Sequence, residues 1–244
     1  MPADNAAARL HAILAKARTI KRDTACLSAW AEVLGQEPGN RTELFRAIGI
    51  VMTLPQQARD EITEADPELG ESSNGVFAEI GHAFLSQHLG GAWETFSKHI
   101  SNQSLSTLHF AAKFMEKHSP IAVIAATELA ELKAKFEELE AEVRAAGLDA
   151  TLRQFLMRQI RAIIRAIDDY HLTGGQRLLD LCDQTVGHVV ADPATRDSLA
   201  KSSVGKKFAE ALSVLANAVT VSQVVGPAIE WGKKVYQLLG GPGA

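Results

Sequence analysis

The sequence predicts an all-α protein, a multi-helix bundle of about ten or eleven helices. Between most of the eight prolines, apolar residues recur every three or four positions, which is the spacing of one face of a helix. No alternating run of apolar and polar residues between turn signals is long enough to predict a strand. A long antiparallel helical hairpin near residues 123–172 is expected to be the spine of the bundle.

The composition is that of a globular protein and excludes several classes. The 244 residues are 46% hydrophobic and 22% charged, with a net charge of −4. These values exclude a disordered acidic chain and argue against a strongly basic, specific nucleic-acid binder. Cys26 and Cys182 both lie in apolar helical patterns, so we expect reduced thiols rather than a disulfide framework. No basic segment leads into an apolar run at the start, and the expected location is cytoplasmic.

In the first half of the chain, glycines and prolines mark the ends of the predicted helices. Helices are expected over about 6–20, 24–34, 42–55, 56–65, 76–89, 92–100 and 105–118. Gly35 ends the second of them, and Pro55 ends or kinks the third. Residues 66–75 are rich in Glu, Ser, Asn and Gly, which predicts a loop and an internal sub-boundary.

The second half is predicted to contain the two longest helices, over about 123–146 and 148–172. The first is acidic, with six acids against three bases, and only Gly147 interrupts the pattern between the two. A shorter helix over 178–190, a polar segment from Asp192 and a basic connector from Lys201 to Lys207 follow. The predicted domains are a helical body over 1–200 and a hydrophobic C-terminal helical segment over 201–244.

No set of residues forms a recognisable catalytic site, so no enzyme activity, cofactor or metal is expected. Two acid-x-x-His pairs, Glu79 with His82 and Asp168 with His171, have the spacing of helical dimetal ligands. Such pairs are expected by chance in a chain with eight histidines and 29 acids. Five histidines, at 82, 88, 99, 109 and 118, cluster in the sequence but share no helical face. The glycine-containing stretches also lack the pattern of a phosphate-binding loop.

One helical face is a candidate for binding an anion or a partner. Arg158, Arg161 and Arg165 recur at spacings of three and four on the second long helix. Three such charges could contact a phosphate or another anionic group. The preceding helix is acidic, and Asp168 and Asp169 follow Arg165 closely, so ion pairs within the chain could instead absorb most of this charge.

The C-terminal segment is the most unusual part of the sequence. Residues 211–229 carry no charge, and lysines lie on both sides of them. Polar residues recur along this apolar stretch, and Gly226 and Pro227 then bend or break it. The residues expected to form a docking or membrane helix are Leu212, Leu215, Asn217, Val219, Thr220, Gln223 and Trp231. Three interpretations fit: a core helix of the bundle, a helix that docks on a partner, and a stored helix that inserts into a membrane.

These patterns lead to two functional hypotheses. The first is a non-enzymatic helical interaction protein that acts through a helical face or through its hydrophobic C-terminal helix. Its partner would be another protein or a second copy of the chain. The alternative is a membrane-perturbing, pore-forming effector or toxin whose C-terminal segment inserts on activation, so that membrane association is conditional.

Overall fold

The structure is a computed structural model that describes residues 4–37, 39–119 and 121–220. These residues form eleven helices and no strand, which confirms the prediction of an all-α, multi-helix protein. The chain divides into two compact units after Ser119. The first unit contains α1–α6 within residues 4–119, and the second contains α7–α11 within residues 121–220.

Six helices build the first unit, and local sequence signals explain most of their ends. They are α1 (Ala6–Ala17), α2 (Cys26–Leu34), α3 (Arg41–Ala65), α4 (Pro67–Ser86), α5 (Glu94–Ser97) and α6 (Asn102–Met115). Asn5 caps α1 by accepting a hydrogen bond from the backbone N–H of Ala8. Gly35 ends α2 in the left-handed conformation with φ of 65°, as the sequence predicts.

The loop predicted at 66–75 is wrong, because these residues begin a long helix. Asp66 accepts hydrogen bonds from the backbone N–H groups of Glu68 and Leu69, and Pro67 occupies the first helical position. This start signal outweighs the low helix propensity of the Ser, Asn and Gly residues that follow, because this part of the helix packs against α3: a Cβ added at Gly70 would collide with Thr63. Pro55 likewise lies inside α3, which continues as one helix to Ala65.

An aromatic cluster forms part of the core of the first unit. Trp30, Trp93 and Phe96 are fully buried, and their ring centroids lie 4.9 to 5.0 Å apart. The indole N–H groups are satisfied, since Trp30 donates to Gln87 Oε1 at 2.8 Å and Trp93 donates to the carbonyl of Ala17 at 2.9 Å. The cluster therefore ties α2, α5 and the end of α4 together.

The second unit consists of five helices around an apolar core. They are α7 (Ala126–Ala145), α8 (Ala150–Asp168), α9 (Tyr170–Ala191), α10 (Pro193–Lys201) and α11 (Ser203–Val219). Lys133 Nζ lies 2.6 Å from Asp168 Oδ1, and Arg161 Nε lies 2.7 Å from Glu140 Oε1. Later residues of α7 therefore meet earlier residues of α8, which is the order expected of two antiparallel helices.

The second predicted long helix ends earlier than expected. The sequence predicts one helix over 148–172, whereas α8 ends at Asp168 and α9 begins at Tyr170. Gly174 interrupts α9 with φ of 69° and ψ of −173°, a backbone conformation that essentially only glycine adopts. The break at the glycine pair is the one that the sequence predicts, whereas the interruption at Asp169 between α8 and α9 is not.

The basic connector predicted at 201–207 is also wrong, because only Ser202 separates α10 from α11. Ser202 caps α11 through a hydrogen bond from the backbone N–H of Gly205. At Gly205 the two helices approach so closely that an added Cβ would collide with the backbone of Leu199. The division into domains at 200 and 201 stays a prediction, since residues 221–244 lie outside the described part of the chain.

Candidate functional site

A groove of about 350 Å³ lies between α3 and α4 in the first unit. Its volume falls in the usual range of ligand-binding pockets, although it opens to solvent along one side. The lining residues from α3 are Met52, Pro55, Gln56 and Arg59, and those from α4 are Asn74, Phe77, Ala78, Gly81, Phe84 and Leu85. Most of these side chains are apolar, which favours an apolar occupant.

The floor and the rim of this groove differ in exposure. Phe77 and Phe84 form a buried floor, and the ring of Phe84 lies 5.1 Å from that of Phe96 in the aromatic cluster. On the rim, Met52 is 42% exposed and Leu85 is 82% exposed. Because the floor is packed into the core, the groove exists before any ligand arrives, and the rim residues are free to be covered.

Two of the three polar lining residues, Arg59 and Asn74, lie at one end of the groove. Since Asp66 alone joins α3 to α4 and the two helices pack side by side, residues at similar distances from Asp66 lie near each other. Arg59 and Asn74 are seven and eight residues from Asp66, whereas Met52 and Leu85 are much farther away. We call Arg59 and Asn74 the polar end, and Met52, Phe84 and Leu85 the apolar end.

Both groups of the polar end lack partners among the described residues. Arg59 is exposed, is the only charged residue of the lining and forms no ion pair there. The Oδ1 atom of Asn74 is buried and accepts no hydrogen bond within the described part of the chain. A buried acceptor without a donor costs free energy, but this atom has under 1 Å² of accessible surface and is not open to a ligand in the groove.

The sequence alone does not reveal this groove. Asn74 falls in the loop wrongly predicted at 66–75, and Met52 and Leu85 look like members of core stripes. One signal was present: Phe84 and Leu85 are adjacent on a helix, and adjacent side chains point about 100° apart. They therefore differ in burial, but periodicity alone does not say which of the two faces solvent.

The predicted arginine face on α8 is exposed but partly neutralised. Arg161 donates to Glu140, and this hydrogen bond lowers the pKa of the Glu140 carboxyl group. Arg158 and Arg165 form no ion pair with any described residue. Asp168, which the sequence suggests as a partner for Arg165, instead accepts a hydrogen bond from Lys133 at 2.6 Å.

The candidate residues of the C-terminal helix lie on two sides of α11. Leu212, Leu215 and Val219 are buried in the core of the second unit, while Asn217 is exposed and Thr220 is half-buried. Gln223 and Trp231 lie outside the described residues. For residues 211–219 the burial favours the core interpretation, and the hypotheses of a docking or membrane-inserting segment stay predictions.

The histidines that cluster in the sequence separate into different places in the structure. The ring of His82 lies 5.1 Å from that of His99, and the ring of His109 lies 5.4 Å from that of His11 on α1. Burial and the neighbouring His109 lower the pKa of His11. The pairing with His11 could not be predicted, because about 100 residues of sequence separate the two histidines.

The two cysteines are buried and poorly suited to nucleophilic chemistry. Burial raises the pKa of Cys26 to about 11. Burial and the charge of Asp183 raise the pKa of Cys182 to about 12. A thiolate is the reactive form of cysteine, and both environments disfavour it.

The acid-x-x-His pairs do not extend into larger ligand sets within the described residues. Glu79 and His82 share a face of α4, where His82 lies 3.1 Å from the hydroxyl of Ser86. The carboxylate of Asp168 accepts a hydrogen bond from Lys133 Nζ. Among the described residues, no three His, Cys, Asp or Glu side chains converge in a way that could hold a metal ion.

Comparisons with protein-family models, with curated proteins and with solved structures found no match to this chain. Within residues 4–37, 39–119 and 121–220, no helix is both long enough and apolar enough to cross a membrane.

Proposed function

We propose that this chain is a non-enzymatic helical interaction protein that binds an amphipathic helix of a partner protein in the groove between α3 and α4. The observation that carries the proposal is the combination of a packed aromatic floor with an exposed apolar rim, above all Leu85 at 82% exposure. Helix-in-groove recognition uses this arrangement, in which apolar anchors of the partner enter a groove between two helices.

The size of the apolar surface fits a short helix. Phe45 is 47% exposed and lies two helical turns before Met52 on α3, so it continues the rim beyond the groove. From Phe45 to Arg59, α3 extends about 21 Å, which matches a partner helix of roughly four turns. Covering one exposed Leu side chain contributes roughly 1.5–3 kcal/mol before the entropy of association is subtracted.

The chemistry of the lining also supports binding. Its polar groups are the amides of Gln56 and Asn74 and the guanidinium of Arg59. These groups donate and accept hydrogen bonds at neutral pH without exchanging protons with a substrate. They are therefore suited to orienting a partner.

A displayed library of amphipathic helical peptides of about 16 residues, selected on the full chain, tests this function. We expect the selection to yield peptides that bind the Leu85→Lys variant at least about tenfold more weakly than the wild type, since the lysine places a charge where an apolar anchor would pack. Leu85 is exposed, so the substitution should leave the fold intact, as circular dichroism would show.

Phe110→Lys is the matched control, because Phe110 is 73% exposed on α6 and does not line the groove. The selected peptides should bind this variant as they bind the wild type. Peptides that bind both variants equally, or a selection that yields no peptide sensitive to Leu85→Lys, would contradict the proposed function. Light scattering of the wild type and of Leu85→Lys would show whether a second copy occupies the groove instead, since the substitution should then lower the molar mass.

A further inference from the structure

Resting on the proposed function, we infer that the chain's own C-terminal segment, residues 221–244, occupies the groove between α3 and α4 until a partner helix displaces it. The segment lies outside the described residues, and three features favour it as the occupant. These features are the apolar pattern of its sequence, the point at which it is attached and its charge.

The first feature is the sequence pattern of residues 227–239, which predicts an amphipathic helix. Apolar residues recur at spacings of four and three on one side of it, and these are Trp231, Val235 and Leu238. Pro227 suits the first position of a helix, and a pair of glycines follows the last leucine. Helix-in-groove recognition uses apolar anchors at this spacing, so the segment has the pattern of an occupant.

The anchors also match the dimensions of the groove. Trp231 and Leu238 are seven positions apart, which is about 10 Å along a helix. Met52 and Arg59 lie the same distance apart on α3, and most of the lining between them is apolar. A helix with this pattern therefore places its anchors along the lining, beside the exposed rim at Leu85.

The second feature is the point at which the segment is attached. The backbone N–H of Ala122 donates to the carbonyl of Val219 at 2.8 Å, and Thr220 pairs with Ile121. Ile121 is only two positions after Ser119, the last residue of the first unit. The segment is therefore tethered close to the end of the first unit, which contains the groove.

The tether is long enough to reach the groove. Within the first unit, Ser119 Oγ donates to the carbonyl of Asp4 at 2.6 Å. The first backbone N–H of α1 donates to Glu61 Oε2 on α3 at 2.9 Å, so the first unit ends near the same end of α3 as the polar end of the groove. Residues 221–226 span up to about 20 Å when extended, which exceeds the diameter of a helix, roughly 10–12 Å.

The third feature is charge. Exposed carboxylates without an ion pair among the described residues surround the polar end, and these are Asp60, Glu64, Glu68 and Glu71. Arg59 is the only base in this stretch of the chain. The C-terminal segment carries Lys233 and Lys234 against one acid, Glu230, and its net positive charge complements the acids beside the groove.

Tethering makes a modest affinity sufficient. A short flexible tether gives an effective concentration on the order of 1 mM. A segment with an intrinsic Kd of about 100 µM then fills the groove in about nine of ten molecules. A partner helix consequently binds about tenfold more weakly than it would bind an empty groove.

The experiment measures the affinity of a Leu85-dependent library peptide for variants of the full chain. Val235→Lys places a charge on the apolar side of the segment, so it should release the segment and strengthen peptide binding about tenfold. Gln237→Lys is the matched control, because it adds the same charge on the other side of the predicted helix. It should leave the affinity unchanged.

A fluorescent peptide with the sequence of residues 225–241 gives a second readout that does not depend on the library. It should bind the full chain that carries Val235→Lys, in which the groove is empty. Adding Leu85→Lys to that chain should weaken this binding at least about tenfold. Adding Phe110→Lys, on an exposed side chain outside the groove, should not change it.

Equal affinity of the library peptide for the wild type and for Val235→Lys, or a segment peptide whose binding does not depend on Leu85, would overturn this inference and leave the proposed function standing. A library that yields no Leu85-dependent peptide, while the segment peptide binds as expected, would contradict the proposed function and keep the segment as the occupant. A dimer that both Val235→Lys and Leu85→Lys convert to a monomer in light scattering would overturn the assignment to the same chain, since a second copy would then supply the segment.

Discussion

Glu61 illustrates how one residue links burial to pH dependence. Its Oε2 atom accepts a hydrogen bond of 2.9 Å from the backbone N–H of Ala6, at the start of α1. Burial raises the pKa of the Glu61 carboxyl group, and nearby Asp4 raises it further. The hydrogen bond from Ala6 and the charge of Arg9 act in the opposite direction but do not cancel the effect of burial.

The raised pKa of Glu61 predicts the effect of Glu61→Gln on stability. Between the carboxyl pKa of the unfolded chain, about 4.5, and the higher pKa of the folded chain, the native state binds more protons. The contribution of Glu61 to the free energy of unfolding therefore falls as the pH rises through this window. Glutamine keeps an acceptor for Ala6 and carries no charge, so the variant should lack this fall and be more stable than the wild type at pH 7.

Urea denaturation of the wild type and of Glu61→Gln between about pH 4 and pH 7 measures this effect. The difference in unfolding free energy between the two proteins should grow in favour of the variant as the pH rises. A difference that stays constant across this range, or that favours the wild type at pH 7, would contradict the assignment.

At the scale of the element, α11 is an amphipathic helix packed into the second unit by one side. Leu215 and Val219 are fully buried, and Phe208 is almost so, while Asn217 is exposed on the opposite side. The polar stripe that interrupts the apolar C-terminal sequence therefore includes the solvent side of a packed helix. Local periodicity predicts both sides of α11, but it does not reveal what the apolar side contacts.

Leu215→Ala and Asn217→Ala test this arrangement on the same helix. The first should lower the free energy of unfolding of the second unit by about 2–5 kcal/mol, because it leaves a cavity in the core. The second should change that free energy by no more than about 0.5 kcal/mol, because Asn217 is exposed. Chemical denaturation followed by circular dichroism measures both, and equal effects of the two substitutions would show that α11 is not packed in this way.

At the scale of the whole molecule, the division of the chain after Ser119 was not predictable. The sequence offers stronger punctuation at 66–75 and at 201–207, where polar, glycine-containing or basic residues accumulate. Both stretches are mostly helical, because Asp66 and Ser202 cap helices that pack on neighbours. A unit boundary depends on which helices contact each other, and local composition does not encode those contacts directly.

The compactness of the first unit predicts that residues 1–119 fold on their own. Its core includes its own aromatic cluster, and its helices α1, α3 and α6 pack on one another. The isolated fragment should therefore show a helical circular dichroism spectrum and one cooperative thermal transition. A fragment with the spectrum of an unfolded chain, or with no cooperative transition, would contradict the independence of the unit.

The sequence by itself determined that this protein is all-α, and it placed many of the helix ends. Helix formation follows from local periodicity, and the end of α2 follows from Gly35, which adopts the left-handed conformation there. The same local rules failed where an Asp–Pro start signal was hidden in a polar stretch, at 66–75. They also did not show whether the apolar side of the C-terminal sequence is buried.

Only the tertiary structure decided which apolar residues face solvent and which distant residues meet. Phe84 packs into the aromatic cluster and Leu85 lies on the rim, although both belong to the same apolar stretch. Arg59 and Asn74 lie at the same end of the groove only because α3 and α4 fold back on each other at Asp66. The physical reason is that packing is a non-local property: a helix has one hydrophobic pattern, but the neighbours that cover it come from elsewhere in the chain.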